Sequence, residues 1–320
     1  MEENMTKILK TPKIALGTWA WGDNGQTGNG YFGSTMTQTD LQEVVDNAID
    51  NGLTLWDTAA VYGMGHSEAV LGKLLATHSR SEYQLSTKFT PQIASTSTTP
   101  VADMLEDSLD RLGTDYIDLY WIHNPADVAK WTPQLIPLLQ AGKIKHVGVS
   151  NHNIDEIKQA NEILNEAGFR VEAVQNHYSL LYRSSEQAGI LEYCRENGIQ
   201  FFAYMVLEQG ALTGKYNPEN PLPAGSDRAA IYNPILPELA TLTAELGKIG
   251  NSQGATAAEV ATAWAIAKGT TPIIGITKPE YIDSEMRALK ITLSDKQIET
   301  LEQLADAAQV DTRGGWEHPM

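Results

Sequence analysis

Residues 116–151 read YIDLYWIHNPADVAKWTPQLIPLLQAGKIKHVGVSN, two apolar runs at 116–122 and 144–150 separated by a helix-length stretch that Gly142 is placed to stop. Strand, helix, strand in that order is the βαβ pattern of a parallel sheet. The same alternation extends outward in both directions. KIALG (13–17), LTLW (53–56) and YQLST (83–87) precede the stretch, and VEAVQ (171–175), IQFFAY (199–204) and TPIIGI (271–276) follow it, which makes eight candidate strands with candidate helices between them. Thr39 and Asp40, Asn153, and Ser294 stand where helices should start, and Gly52, Gly168 and Gly198 where others should stop. A chain of 320 residues could hold two ordinary domains or one large barrel. No Pro/Ser-rich linker divides it and the strand series is unbroken, so the expected fold is α/β, a single (β/α)8 TIM barrel over residues 1–320. A long surface loop is expected at 215–234 (KYNPENPLPAGSDRAAIYNP) and a C-terminal tail at 309–320.

Composition narrows the function classes. With 42% hydrophobic and 20% charged residues the chain can bury a substantial core. Lys and Arg number 23 against 40 Asp and Glu, and the net charge of −17 repels nucleic acid and anionic membrane surfaces. A small anionic cofactor can still bind, because backbone N–H groups and one or two cations act at short range. Cys194 is the single cysteine, so neither an intrachain disulfide nor a cysteine metal cluster is expected. The opening MEENMTKILK has no apolar leader core and no run of about 18 apolar residues occurs, from which a cytoplasmic protein is expected.

In a barrel of this kind the active site forms at the carboxyl ends of the strands. Here those ends carry Asp57, Lys88, His123, Ser150 with Asn151, Gln175 with Asn176, and Tyr204. A carboxylate, an ammonium and an imidazole, each beside apolar residues, are costly in isolation, so Asp57, Lys88 and His123 are expected to share one site. Tyr62 follows Asp57 in the same loop. A tyrosine beside a cation suits an acid that protonates an oxygen as negative charge develops there; the ammonium is expected to lower the phenol's pKa, and the carboxylate to keep the lysine charged.

GLTLWDTAAVYGMGHSE (52–68), LSTKFTP (85–91), DLYWIHNP (118–125), GVSNHN (148–153), AVQNHYSLLYR (173–183) and FFAY followed by GALTGKY (201–216) together resemble the aldo-keto reductase superfamily over nearly the whole chain. The resemblance implies a reductase of aldehydes or ketones that uses NADPH, with NADH as the lesser cofactor. It implies a catalytic set of Tyr62 as acid, Lys88 and Asp57 tuning it, and His123 orienting the carbonyl. It further implies that Ser150, Asn151 and Gln175 hold the nicotinamide carboxamide, that Tyr204 stacks on its ring, and that Trp19 and Asp57 border the cofactor. Leu207, Gly210, Leu212 and Lys215 match the segment around the pyrophosphate, and Gly275, Thr277 and Lys278 the adenosine end. Met205 and Val206 stand where the family commonly has Ser-Pro, Tyr281 where many members carry Arg or Gln, and Glu285 where Asn is frequent. Substrate is expected to meet Trp21, Trp121 and Asn124, with Trp316 folding back over the mouth.

GNGYFG (28–33) matches the dinucleotide fingerprint in letters, but it neither follows a strand directly nor opens a helix and is read as a loop. Two other functions compete. One is a barrel that keeps its cofactor as a redox sensor. The other is a metal-dependent hydrolase, suggested by His66, His78, His146, His152, His177 and His318 and with Asp57 and His123 as ligands; it is disfavoured by the absence of a His-x-His or paired-carboxylate arrangement at the strand ends and by Lys88 among the would-be ligands, so no metal is expected. The partner is expected to be a small carbonyl compound, and the chain a monomer.

Overall fold

The computed structural model describes residues 12–22, 32, 36, 38–317 and 320. Eight parallel strands close into a barrel in chain order: β1 (Ala15–Gly17), β2 (Leu55–Asp57), β3 (Gln84–Phe89), β4 (Ile117–Ile122), β5 (Ile144–Ser150), β6 (Ala173–His177), β7 (Gln200–Tyr204) and β8 (Thr271–Gly275), with β8 pairing back to β1. All eight coincide with the expected apolar runs, β1 and β2 being shorter than those runs. The outer layer comprises α1 (Gln38–Asp50), α2 (His66–Leu75), α3 (Pro100–Leu112), α4 (Ile136–Gln140), α5 (Ile154–Asn165), α6 (Ile190–Glu196), α7 (Ala240–Ser252), α8 (Ala257–Ala267), α9 (Pro279–Ala288) and α10 (Asp295–Ala308).

Asn153 and Ser294 cap α5 and α10 as expected, each side chain accepting a backbone N–H and each completing a capping box. Thr39 and Asp40 instead lie inside α1, which begins at Gln38. Gly142, φ 72°, turns the chain from α4 into β5. The segment 215–234 is only partly irregular: Asp227–Tyr232 is a short helix, and Leu222, Ala229 and Tyr232 pack with Ala211, Leu236 and Leu239 in a small apolar cluster of their own. The fingerprint-like 28–33 lies, apart from Phe32, outside the described residues, as does His318.

The barrel interior below the mouth is filled by Ala15, Leu55, Leu119, Trp121, Ala173 and Phe202. Trp121 needs the glycine opposite, since a Cβ on Gly148 would lie 2.2 Å from its ring. This corrects the expected pocket in two places. Trp121 is fully buried, with its indole N–H donated to Ser86 Oγ at 2.6 Å. Trp21 is equally buried, packed on Trp56 and donating to the Ile276 carbonyl at 2.7 Å. Large aromatic area is most stabilising when wholly removed from water, and both rings are floor or wall of the core rather than surface at the mouth.

Candidate active site

β2 and β3 deliver the ionic centre. Asp57 closes β2 and Lys88 is the penultimate residue of β3, so the two side chains meet above the apolar interior. Lys88 Nζ donates to Asp57 Oδ2 at 2.6 Å, to the Thr58 carbonyl at 2.7 Å and to Tyr62 OH at 3.4 Å. Asp57 Oδ1 accepts from Ser86 Oγ at 2.7 Å and from Gln175 Nε2 at 3.1 Å. Every donor and acceptor of the buried pair is thus used, as such a pair needs in order to persist out of water. Burial, the largest single influence, works against the ammonium, but the charges and hydrogen bonds of Asp57 and Tyr62 together outweigh it and Lys88 is held above the ordinary lysine value.

Tyr62 stands at the start of a tight turn whose Gly63 and Met64 have left-handed φ values of 56° and 51°. Burial dominates its titration and exceeds the lowering by Lys88, so the phenol is held above 10 rather than below it. The expected direction was therefore reversed, because desolvating a phenolate costs more here than one ammonium returns. At pH 7 the side chain is therefore a neutral phenol. His123, the first residue after β4, lies 5.9 Å from Tyr62 ring to ring and bonds Thr90 Oγ1 through Nδ1 at 2.9 Å. Burial, then the Lys88 charge, push its pKa well below the usual histidine value, so it is a neutral imidazole. A Thr90 hydroxyl that donates into Nδ1 would leave the ring proton on Nε2.

The remaining strand ends form a ring around this centre. Asn151, just past β5, takes a left-handed φ of 61° and donates to the His123 carbonyl at 2.9 Å and to Ser150 Oγ at 3.2 Å. Its own Oδ1 accepts from Tyr204 OH at 2.6 Å. Trp19 stacks on Tyr62 with centroids 6.1 Å apart. Trp316 reaches back from the tail, edge-on to Trp19 at 5.7 Å, with its indole N–H 3.4 Å from Tyr204 OH. Asn124 pairs amide to amide with Gln92 at the rim.

Further out lies the turn 207–214. Gly210, φ 107°, and Leu212 both donate their N–H groups to the Leu207 carbonyl, at 2.9 and 3.3 Å, so neither offers the free phosphate donor expected of it. Lys215 is exposed over the Tyr216 ring. Arg228, which the sequence reading missed, donates to the Gln209 carbonyl at 3.2 Å, while its buried Nε has no hydrogen-bond partner among the described residues. An orphaned guanidinium nitrogen beside this turn fits an anion. At the adenosine end, a Cβ on Gly275 would meet nothing within 4 Å. Lys278, its side chain 60% exposed, lies 3.9 Å from Glu280 just ahead of the N-terminus of α9. Lys215, Lys278 and the N-terminus of α9 are groups of the kind that can meet the phosphates of a dinucleotide. Glu285 is buried, and desolvation pushes it up to about 8.

Ser86 and Thr90 also went unread, although Ser86 shares the face of β3 that carries Lys88 and Thr90, one residue past the strand, continues the two-residue period. Among the described residues no three His, Cys, Asp or Glu side chains form a metal-ligand group. His78, His146 and His177 are instead engaged by carboxylates. Among those residues no helix is long and apolar enough to cross a membrane.

The model of the aldo/keto reductase family matches residues 13–306. The chloroplastic pyridoxal reductase of Arabidopsis thaliana is 32% identical over 310 residues, covering 91% of this chain and 82% of its own. The NADP(+) aldo-keto reductase yakc of Schizosaccharomyces pombe is 32% identical, covering 84% of this chain and 83% of its own. The crystal structure of an aldo-keto reductase from Klebsiella pneumoniae in complex with NADPH superposes with a TM-score of 0.71 at 26% identity, covering 92% of this chain and 91% of its own.

Proposed function

Since the chain belongs to the aldo/keto reductase family and is an oxidoreductase of carbonyl compounds, we propose that it reduces aldehydes or ketones to alcohols with NADPH and that Tyr62 supplies the proton. The observation that carries this reading is the buried chain Asp57–Lys88–Tyr62 with neutral His123 beside it. The cofactor, when bound, supplies a hydride to the carbonyl carbon. His123 donates through Nε2 to the carbonyl oxygen and orients it. Tyr62 gives its phenolic proton to that oxygen, and the phenolate left behind is held by the Lys88 ammonium. Ser150, Asn151 and Gln175 would hold the carboxamide and Tyr204 would stack on the ring, while Trp19 and the Leu207–Leu212 turn would bound the cofactor. Arg228 joins Lys215 at the phosphates, and Thr277 with Lys278 favours the 2′-phosphate of NADPH over NADH. The protein is a monomeric, cytoplasmic, single-domain enzyme in this reading.

Oxidation of NADPH and NADH with a panel of simple aldehydes tests it, and failure to oxidise either with any aldehyde would return the reading to a cofactor-binding sensor. Lys278→Ala should weaken NADPH binding by roughly tenfold, the scale of one exposed charge-assisted contact, and leave NADH binding unchanged in fluorescence titrations. Thr90→Val removes the hydroxyl on His123 Nδ1, and kcat should fall about tenfold while cofactor binding is unaffected, as single-turnover rates would show.

A further inference from the structure

His177, which entered the sequence analysis only with the disfavoured metal-dependent alternative, is the centre of a buried ionic cluster at the mouth. Its Nδ1 bonds Glu317 Oε1 at 2.8 Å and its Nε2 bonds Glu208 Oε1 at 3.0 Å, with all three side chains fully buried. A neutral imidazole has one N–H, so two carboxylate acceptors require the imidazolium. Glu208 is fixed independently, accepting from Ser179 Oγ, from Tyr232 OH at 2.7 Å and from Thr312 Oγ1 at 3.0 Å. The cluster therefore joins β6, the turn after β7, the short helix Asp227–Tyr232 and the C-terminal tail.

Glu317 is the tail's end of this arrangement. Its carboxylate also accepts the Gly314 N–H at 3.0 Å and its own N–H returns to the Gly314 carbonyl at 3.0 Å, closing a turn around Trp316. A Cβ on Gly314 would lie 2.5 Å from the Trp316 ring, so the indole folds back over its own turn only because residue 314 is glycine. Trp316 nevertheless remains 42% exposed. Burial alone does not fix an indole that open, and the turn that Glu317 anchors does.

We propose that His177 is a positioning residue for the reaction: through Glu317 it holds the Trp316 indole across the mouth beside Trp19 and Tyr204, and so sets affinity for ring-bearing carbonyl substrates. The inference rests on the reductase reading for its kinetic consequence. A ring leaving the site must pass the held indole, whereas a short aliphatic aldehyde touches little of it. Around His177 stand the Glu208 and Glu317 carboxylates, with the phenols of Tyr182 at 4.3 Å and Tyr204 at 5.5 Å stacked on the imidazole, and Arg313 on the tail beyond Tyr182. Both phenols are held above 10 by burial and stay neutral, so the imidazolium is the group that titrates first, its pKa raised to about 9 by the two carboxylates against the opposing effect of burial. A raised histidine pKa means that the tether is complete at neutral pH and is lost as pH rises through that value.

Glu317→Gln and Trp316→Ala, with His177→Gln as a third variant, test this against benzaldehyde and propionaldehyde. Glu317→Gln should raise KM for benzaldehyde about tenfold with kcat within a factor of about two, and leave propionaldehyde unchanged. Trp316→Ala should raise the benzaldehyde KM alike. In the native protein that KM should climb with pH through about 9, and in Glu317→Gln it should be high and flat. Hydrogen exchange at 311–317 should speed up in Glu317→Gln and His177→Gln at pH 7, a readout that needs no turnover. Unchanged exchange in both, or a KM rise equal for the two aldehydes, would overturn the tether; native protein that reduces neither aldehyde would instead count against the reductase reading.

Discussion

Tyr62→Phe should bind NADPH as the native protein does and lose about three orders of magnitude in kcat, the scale at which a positioned general acid contributes. That loss corresponds to about 4 kcal/mol of transition-state stabilisation, far above what one packing change at a partly buried ring could produce. The substitution keeps the ring that stacks on Trp19 and removes only the hydroxyl that meets Lys88 Nζ. Fluorescence quenching reports binding and single-turnover kinetics report chemistry, so the two effects separate. The pH dependence carries a sign. A general acid works protonated, and burial holds this phenol above 10, so the native single-turnover rate should stay flat from roughly pH 6 to 9 and decline only in more alkaline solution. A rate that already declined at neutral pH would mean that Lys88 prevails over burial.

The second large effect concerns the ion pair beneath the tyrosine. Lys88→Met should abolish most turnover and lower stability by about 3–5 kcal/mol, because it leaves Asp57 as a buried carboxylate without its cation. In a chain of this size the melting temperature should fall by about 10 °C. The pair Lys88→Met with Asp57→Asn removes both charges, and should regain much of the lost stability while remaining inactive. Thermal unfolding of the two single variants and the double variant, with the coupling taken from the cycle, checks this. Equal destabilisation by single and double changes would show that packing, not charge, decides the cost.

Much of this was legible in the chain because a parallel barrel writes its plan in one dimension. Each strand is an apolar run, and the residue at its carboxyl end faces the mouth, so Asp57, Lys88, His123, Asn151, Gln175 and Tyr204 could be gathered from sequence alone. The misreadings arise where face or depth matters. Trp121 stands among the strand-end residues, but its side chain turns inward against Gly148, and Trp21 lies outside the strands in the helix-facing core. The titration of Tyr62 depended on burial, which spacing does not express. Arg228 and the His177 cluster were hidden by distance along the chain: Glu317 is 140 residues from His177, and nothing local marks the pairing.

A single turnover decides whether Tyr62 is the acid: protein loaded with NADPH is mixed with excess benzaldehyde at pH 7, and bound cofactor is followed to completion beside the Tyr62→Phe variant. Stoichiometric oxidation with formation of benzyl alcohol is expected in the native protein, and cofactor that is bound but left reduced on the same timescale in the variant. Equal oxidation in both would remove Tyr62 as the acid, and a native protein that binds NADPH without oxidising it would contradict the reaction itself.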